Sequence, residues 1–126
     1  MSGIAGSSSS SKDVLGLMLN QLYHRGPEAE WIYRGKSFAL GCRVLPSEVN
    51  PPGRTHAQKA DTVAVIDGHL YSKNGIRLPE AEVLADLYRR FGPDFVEQLD
   101  GDFAFGLITD SELLLARDHI GTRPLF

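Results

Sequence analysis

Two apolar segments on either side of residue 110 constrain the fold more strongly than any other feature of this sequence. The segments FAFGLIT (103–109) and ELLLAR (112–117) flank Asp110-Ser111, a pair typical of a tight turn. Because side chains alternate along a strand, the first segment presents three large apolar residues on one face: Phe103, Phe105 and Leu107. The smaller or branched residues share the other face: Ala104, Gly106 and Ile108. The sequence therefore predicts two strands joined by a turn.

Strand patterns also occur earlier in the chain. EWIYR (30–34) and SFALGCRV (37–44) are separated by a Gly-Lys pair and predict a β-hairpin. TVAVI (62–66) predicts a short strand that ends at Asp67-Gly68, because this dipeptide on local chemistry alone favours a hairpin turn. The intervening stretch 46–61 is predicted to be a loop, since its Pro-Pro-Gly sequence disfavours regular structure.

Helical periodicity separates these strand blocks. KDVLGLMLNQLYHR (12–25) has apolar residues at helical spacing and follows Ser10 and Asp13, which have the spacing of a capping box. EAEVLADLYRRF (80–91) has the same periodicity, and PDFVEQL (93–99) predicts a second, shorter helix that opens with proline. Helices and hairpins occur in blocks rather than in βαβ alternation, so the predicted class is α+β.

Composition excludes several classes of function. The net charge of −3, without a basic run, argues against nucleic acid or an anionic membrane as partner. The sequence shows neither an apolar stretch of transmembrane length nor a secretory signal, and we expect a cytoplasmic protein. The single cysteine, Cys42, excludes an internal disulfide, and no spacing suggests a metal site or a bound cofactor. A chain of 126 residues is expected to form one domain, 1–126.

Four phrases then stand in an informative order: MSGIAG (1–6), HRGPE (24–28), IDGHLYS (66–72) and LDGDFAFGLITDSELLLARDHIGTRPLF (99–126). Together they resemble the class II glutamine amidotransferase domain at the N-terminus of asparagine synthetases. That family has the phrases M-C-G-I-x-G, H-R-G-P-D, V-N-G-E-I-Y-N and L-x-G-M-F-A-F, the last continuing to R-D-x-x-G-x-x-P-L-Y. The last match is long and specific, and the resemblance covers almost the entire chain.

The resemblance implies an N-terminal-nucleophile hydrolase-like fold, an αββα sandwich of two antiparallel sheets with outer helices. The family's domain has further strands after P-L-Y, so we expect the sandwich to be incomplete at the C-terminus. The family's reaction is hydrolysis of the glutamine side-chain amide, with the ammonia passed to an ATP-using domain. In this reaction an N-terminal cysteine attacks the amide, and an Asn side chain with a Gly amide forms the oxyanion hole.

Carried over to this chain, the catalytic phrases are altered. The nucleophile position is Ser2, which gains a free α-amine, a recognised local base, only if Met1 is removed. A flexible, linker-like serine run at 7–11 follows this terminus. Asp67 replaces the oxyanion-hole asparagine, whereas Gly68 retains the glycine.

The resemblance also assigns substrate-binding positions. Arg43 matches the arginine that grips the substrate carboxylate. The family's Glu and a downstream Asp help hold the substrate amine, and here these positions are His69 and Glu80. A protonated histidine would repel an ammonium group. Near the C-terminus, Arg117, Asp118 and Arg123 are expected to form a structural ion-pair cluster rather than to act in catalysis.

These departures favour a non-enzymatic function. We expect a domain that has lost glutamine hydrolysis and acts as a scaffold or docking module for an asparagine-synthetase-like, ATP-dependent amide-forming domain or chain. The alternative is an active amidohydrolase that uses Ser2 to release ammonia from glutamine or a related amide. An unfinished sandwich also leaves open sheet edges, from which we expect a homo-oligomer or pairing with another polypeptide.

Overall fold

A computed structural model describes residues 2–8, 12–45, 54–72 and 78–125, with the side chains of residues 12 and 13 excepted. Within these residues the strands are β1 (Gly3–Ser7), β2 (Ala29–Arg34), β3 (Ala39–Val44), β4 (His56–Lys59), β5 (Thr62–Leu70), β6 (Gly101–Ile108) and β7 (Leu113–Arg117). The helices are α1 (Lys12–Gln21) and α2 (Glu80–Phe91), followed by 3₁₀ turns at Tyr23–Arg25 and Pro93–Gln98, respectively.

The strands form two antiparallel sheets, in the orders β1-β3-β2 and β4-β5-β6-β7. Buried residues between the sheets come from β3, β5 and β6: Leu40, Cys42, Val63, Val65 and Ile108. Helix α1 packs on the outer face of the first sheet, and α2 packs on the outer face of the second. The α+β class and the antiparallel sandwich with outer helices are therefore confirmed.

The β6–β7 hairpin is confirmed, and both faces of β6 are buried. Phe103, Phe105 and Leu107 belong to the apolar cluster beneath α2, whereas Ile108 faces the space between the sheets. A strand with two apolar faces must pack against other elements on both sides, here α2 on one side and the first sheet on the other. The alternation along 103–109 thus defines the middle of the sandwich.

The sequence-based strand assignment was wrong at β1 and β4. Ser7 lies in β1 and not in a linker, because this short run of small residues pairs with β3 along its whole length. A Cβ atom at Gly6 would lie 2.9 Å from the side chain of Leu40, so the small residues allow this close packing. Strand β4 lies inside the predicted loop 46–61 and is formed by pairing with β5. Residues 9–11 and 46–53, and the Ser10–Asp13 capping box, lie outside the described residues and side chains.

The predicted turn at Asp67-Gly68 was also wrong. Strand β5 runs through both residues to Leu70, and Gly68 pairs with Phe103 of β6. Gly68 has φ = +127°, which glycine adopts without the steric cost of a side chain. The dipeptide therefore provides a local distortion within a long strand. Among the described residues, no helix has the length and apolarity needed to cross a lipid bilayer.

His56 joins the two sheets on the side of β4. Its ring stacks on Trp31 of the first sheet with 4.4 Å between ring centroids, and its Nδ1 lies 3.7 Å from Cys42 Sγ. Burial lowers the pKa of His56 below its ordinary value. Burial likewise raises the pKa of Cys42 to about 12, so the thiol stays protonated and is a poor nucleophile.

We expect the free energy of unfolding to decrease as the pH falls below the ordinary histidine value of 6.5. The unfolded chain then binds a proton that the folded His56 resists, so acid favours unfolding, while the full contribution is present above this pH. Urea unfolding followed through Trp31, the single tryptophan, measures the effect. A His56→Gln variant should lose this part of the pH dependence and a His24→Gln control should keep it; identical profiles for His56→Gln and the unaltered chain would contradict the prediction.

Candidate functional site

Ser2 and Asp67 meet at one end of the sandwich. Ser2 directly precedes β1, which packs across β5, the strand that carries Asp67. The Ser2 hydroxyl donates a hydrogen bond to Asp67 Oδ1 at 3.0 Å, and the Ser2 backbone N–H approaches the same oxygen at 3.3 Å. Both residues are buried, with exposures of 2% for Ser2 and 4% for Asp67. The predicted nucleophile position thus faces a carboxylate directly.

Two arginines approach the same carboxylate. Arg25 Nη2 donates to Asp67 Oδ2 at 2.8 Å, and Arg25 Nε donates to the backbone carbonyl of Ser2 at 2.9 Å. Arg123 Nη1 lies 3.9 Å from Asp67 Oδ1, while its Nη2 donates to Asp102 at 2.7 Å. Asp67 is therefore held as the centre of an ion-pair network that joins four parts of the chain.

Sequence reasoning assigned no role to Arg25, although its HRGPE phrase was noted as a family signature. Arg123 was expected to cluster with Arg117 and Asp118, but the structure pairs it with Asp102, while Asp118 accepts hydrogen bonds from backbone amides and from Thr122. The approach of Arg123 to Asp67 was missed, because more than fifty residues separate these positions and no spacing rule relates them. Arg25 and Arg123 lie in two of the phrases on which the family resemblance is based, residues 24–28 and 99–126. Those phrases were the sequence signal that could have identified both residues.

The loop that carries Arg123 is anchored by Asp118. The Asp118 carboxylate accepts hydrogen bonds from the backbone N–H groups of Ile120, Gly121, Thr122 and Phe103, and from the Thr122 hydroxyl. The Thr122 hydroxyl, followed by these backbone amides, lowers the pKa of Asp118 well below its ordinary range. This anchor fixes the chain immediately before Arg123 and so positions its guanidinium.

His69 and Glu80 form a second pair. His69 is two residues beyond Asp67 on β5, and its Nδ1 lies 3.5 Å from Glu80 Oε1. Glu80 is the first residue of α2 and is 1% exposed. The structure thus brings together the two positions predicted to contact a substrate amine. Their role in binding stays a prediction.

Arg43 lies among structural partners on the first sheet. Its Nε donates to the carbonyl of Leu19 at 2.7 Å, its Nη2 donates to Glu30 at 2.7 Å, and its guanidinium stacks over the Tyr23 ring at 5.2 Å. These contacts tie α1 and the following turn to β2 and β3. Binding of a substrate carboxylate by Arg43 stays a prediction, and it would compete with the Glu30 ion pair.

Gly68 is required by the approach of β6. A Cβ atom at this position would lie 2.0 Å from the carbonyl oxygen of Asp102, and the positive φ angle adds further strain for any other residue. Packing against the backbone of β6 is therefore sufficient to require glycine at position 68. A role of Gly68 in an oxyanion hole stays a prediction.

The site as a whole is polar and preorganised, with Ser2, Arg25 and Arg123 around the Asp67 carboxylate. Among the described residues, no group of three or more His, Cys, Asp or Glu side chains is arranged to hold a metal ion. An ionised carboxylate only accepts hydrogen bonds. Asp67 therefore presents an acceptor to the Ser2 hydroxyl, at the position where the resemblance implies an asparagine.

Comparison with known proteins gives a consistent result. Residues 1–126 match a family model described as a glutamine amidotransferase domain. Asparagine synthetase B [glutamine-hydrolyzing] of Escherichia coli K12 is 32% identical over 82% of this chain and 21% of its own length. Asparagine synthetase [glutamine-hydrolyzing] 1 of Arabidopsis thaliana is 30% identical over 94% of this chain and 23% of its own length. The amidase chry2 of Gibberella zeae is 28% identical over 86% of this chain and 19% of its own length. The chain spans about a fifth of the length of these relatives.

Proposed function

Because the chain belongs to the class II glutamine amidotransferase family of the asparagine synthetase type, we propose that it is a member that has lost glutamine hydrolysis. In this proposal the domain serves as a docking module for an ATP-dependent, amide-forming synthetase. The single observation that carries the proposal is the 3.0 Å hydrogen bond from the Ser2 hydroxyl to the Asp67 carboxylate.

Hydrolysis of an amide builds negative charge on the carbonyl oxygen next to the nucleophile. In the family an asparagine N–H meets this oxygen, and removal of one such donor costs about 100–1,000-fold in rate. Asp67 removes the donor and places a carboxylate within 3.0 Å of Ser2 Oγ. The developing charge would then lack the donor that the asparagine supplies in the family.

The nucleophile itself is also weaker. A serine hydroxyl is un-ionised at neutral pH, whereas a cysteine thiol with a pKa of about 8.5 is partly ionised. The Ser2 hydroxyl proton is directed at Asp67, and the other oxygen of that carboxylate is already paired with Arg25. His69, close to Glu80, further replaces a constant negative charge near the expected amine position.

A second candidate function is amide hydrolysis with Ser2 as nucleophile. The same 3.0 Å contact favours it in one respect, because a carboxylate beside a hydroxyl is placed to accept its proton. This mechanism still needs donors for the oxyanion, and the carboxylate occupies the position of one of them. We therefore rank it second.

The docking role is supported by the relatives. Two of them are glutamine-hydrolysing asparagine synthetases, and the region matched here is about a fifth of their length. A domain without its own catalysis is retained when it contributes to the fold or assembly of a larger enzyme. We propose that the partner is a synthetase polypeptide of that kind.

The test is ammonia release from glutamine by the full chain, with its N-terminal residue established by intact mass. We expect the unaltered chain and a Ser2→Ala variant to release ammonia at the same background rate, since the hydroxyl is bound to Asp67. Release by the unaltered chain well above the Ser2→Ala rate would favour the hydrolase. Release from another amide, with glutamine inactive, would point to a changed substrate.

A further inference from the structure

Cys42 and His56 form a pair of metal-ligating side chains that the functions discussed above do not use. Cys42 lies on β3 of the first sheet and His56 is the first residue of β4 in the second, so the pair bridges the two sheets. Cys42 Sγ lies 3.7 Å from His56 Nδ1, and Thr55 Oγ1 lies 3.2 Å from the same nitrogen. We call these three side chains the Cys42 cluster.

The imidazole nitrogen in the Cys42 cluster has more donors within reach than it can serve. Burial lowers the pKa of His56 below its ordinary value, so the ring is neutral at neutral pH. A neutral ring with its proton on Nε2 presents one lone pair at Nδ1, whereas the Cys42 thiol and the Thr55 hydroxyl can both donate to it. Because a thiol is only a weak donor, a metal ion can displace its proton at small cost to the hydrogen bonding of the cluster.

The distance between the two ligand atoms suits one shared metal ion. Bond lengths typical of zinc, about 2.3 Å to sulfur and about 2.0 Å to an imidazole nitrogen, span 3.7 Å at an angle of about 120° at the metal. Cys42 Sγ and His56 Nδ1 can therefore ligate one ion from the positions that they already occupy. The His56 ring stacks on Trp31 with 4.4 Å between ring centroids, which holds the imidazole in this orientation.

The surroundings of the pair favour a soft, monovalent ion. Cys42 is fully buried, and the buried residues of its cluster between the sheets are apolar: Leu40, Val63, Val65 and Ile108. A monovalent cation with one thiolate is neutral overall, whereas a divalent ion would leave an uncompensated positive charge in this apolar layer. Soft thiolate ligands select Cu(I), which accepts a low coordination number, whereas structural zinc sites are four-coordinate.

We propose that Cys42 and His56 form a Cu(I) site that bridges the two sheets. Cu(I) binds Cys42 Sγ as the thiol S–H bond breaks and its proton leaves to solvent, while His56 Nδ1 donates its lone pair to the same ion. No electron is transferred in this step, and the metal remains Cu(I). The site lies outside the Ser2–Asp67 network, so it stands or falls independently of the proposed function.

Titration of the full chain with Cu(I) under anaerobic conditions tests the site. The Cu(I) is buffered with the chromogenic chelator bicinchoninate, so that its transfer to the protein is read from the loss of chelator absorbance. We expect one Cu(I) per chain and quenching of Trp31 fluorescence at the same equivalence, because the ligating His56 ring stacks on that indole. Zn²⁺ at the same concentration should leave Trp31 fluorescence unchanged.

Removal of either ligand separates this site from adventitious binding. Cys42→Ala and His56→Gln should each weaken Cu(I) binding about 100-fold or more, since loss of a residue that merely supports a metal ligand already costs about 10–100-fold. His24→Gln is the matched control, because His24 is an exposed histidine on the 3₁₀ turn after α1, and this variant should bind Cu(I) like the unaltered chain. Urea unfolding confirms that each variant is folded, and Cys42→Ser repeats the test should Cys42→Ala unfold.

Two results would overturn the inference. One is the absence of a one-to-one Cu(I) complex with the unaltered chain, which needs no variant to be decisive. The other is equal Cu(I) affinity of the unaltered chain and the Cys42→Ala variant, which would place the ion elsewhere. Quenching of Trp31 fluorescence by Zn²⁺ at the same concentration would overturn the choice of a monovalent ion.

Discussion

Glutamine hydrolysis is expected to rise about 100–1,000-fold when Asp67→Asn is added to a Ser2→Cys variant. The cysteine restores a nucleophile that is partly ionised near neutral pH, and it leaves the carboxylate at position 67 as the main remaining obstacle. The amide of asparagine then supplies the N–H that a developing oxyanion requires. The measurement is ammonia release from glutamine by the Ser2→Cys variant with and without Asp67→Asn.

The matched control for this pair is Asp102→Asn in the same Ser2→Cys background. Asp102 also binds Arg123 and loses one negative charge on substitution, but Asp67 alone of the two accepts a hydrogen bond from Ser2. We expect Asp102→Asn to leave the rate close to that of the Ser2→Cys variant, because its carboxylate is bound to Arg123. A Ser2→Cys variant that is already fully active would contradict the assignment of Asp67 as the main obstacle. Unfolding midpoints confirm that each variant is folded.

Gly68→Ala is expected to destabilise the domain by about 3 kcal/mol or more, a large fraction of the 5–15 kcal/mol typical of a domain. The new Cβ would lie 2.0 Å from the Asp102 carbonyl oxygen, and φ = +127° is itself unfavourable for alanine. Since the obstructing atom belongs to the backbone of β6, relief requires the two central strands to separate. Urea unfolding followed by Trp31 fluorescence measures the loss.

Two other glycines separate the causes of this effect. Gly92 has φ = +72° and ψ = −168°, a conformation that almost only glycine adopts, with nothing within 4 Å of its Cβ position, so Gly92→Ala should cost about 1–3 kcal/mol from the backbone alone. Gly16 lies within α1 with the same open space, and Gly16→Ala should stabilise by about 0.5–1 kcal/mol. Equal losses for Gly68→Ala and Gly92→Ala would show that contact with β6 is not the cause.

The elements that could be predicted from the sequence are those whose own residues show the periodicity of a strand or a helix. The alternation in 103–109 and the helical periodicity in 80–91 each gave the correct element, because burial of these residues requires it. Strand β1 could not be predicted, since its small residues have little strand preference and owe their conformation to pairing with β3. The preference of Asp67-Gly68 for a turn was likewise overridden, because both residues pair with β6 and continue the strand.

The candidate site divides in the same way. The family resemblance assigned Ser2 and Asp67 to catalysis and His69 and Glu80 to substrate binding, and the structure brings the members of each pair together. The counter-charges of Asp67 could not be predicted, because Arg25 and Arg123 reach it from distant positions in the chain. Electrostatic partners of this kind follow from topology and not from sequence spacing.

The contact between Ser2 and Asp67 can be measured in a high-resolution crystal structure of the domain whose mature N-terminus has been established by mass. We predict the Ser2 hydroxyl within hydrogen-bond distance of the Asp67 carboxylate, near 3.0 Å, with Arg25 on the other carboxylate oxygen. An Asp67 side chain turned away from Ser2, with two N–H groups directed at the space in front of the hydroxyl, would contradict it.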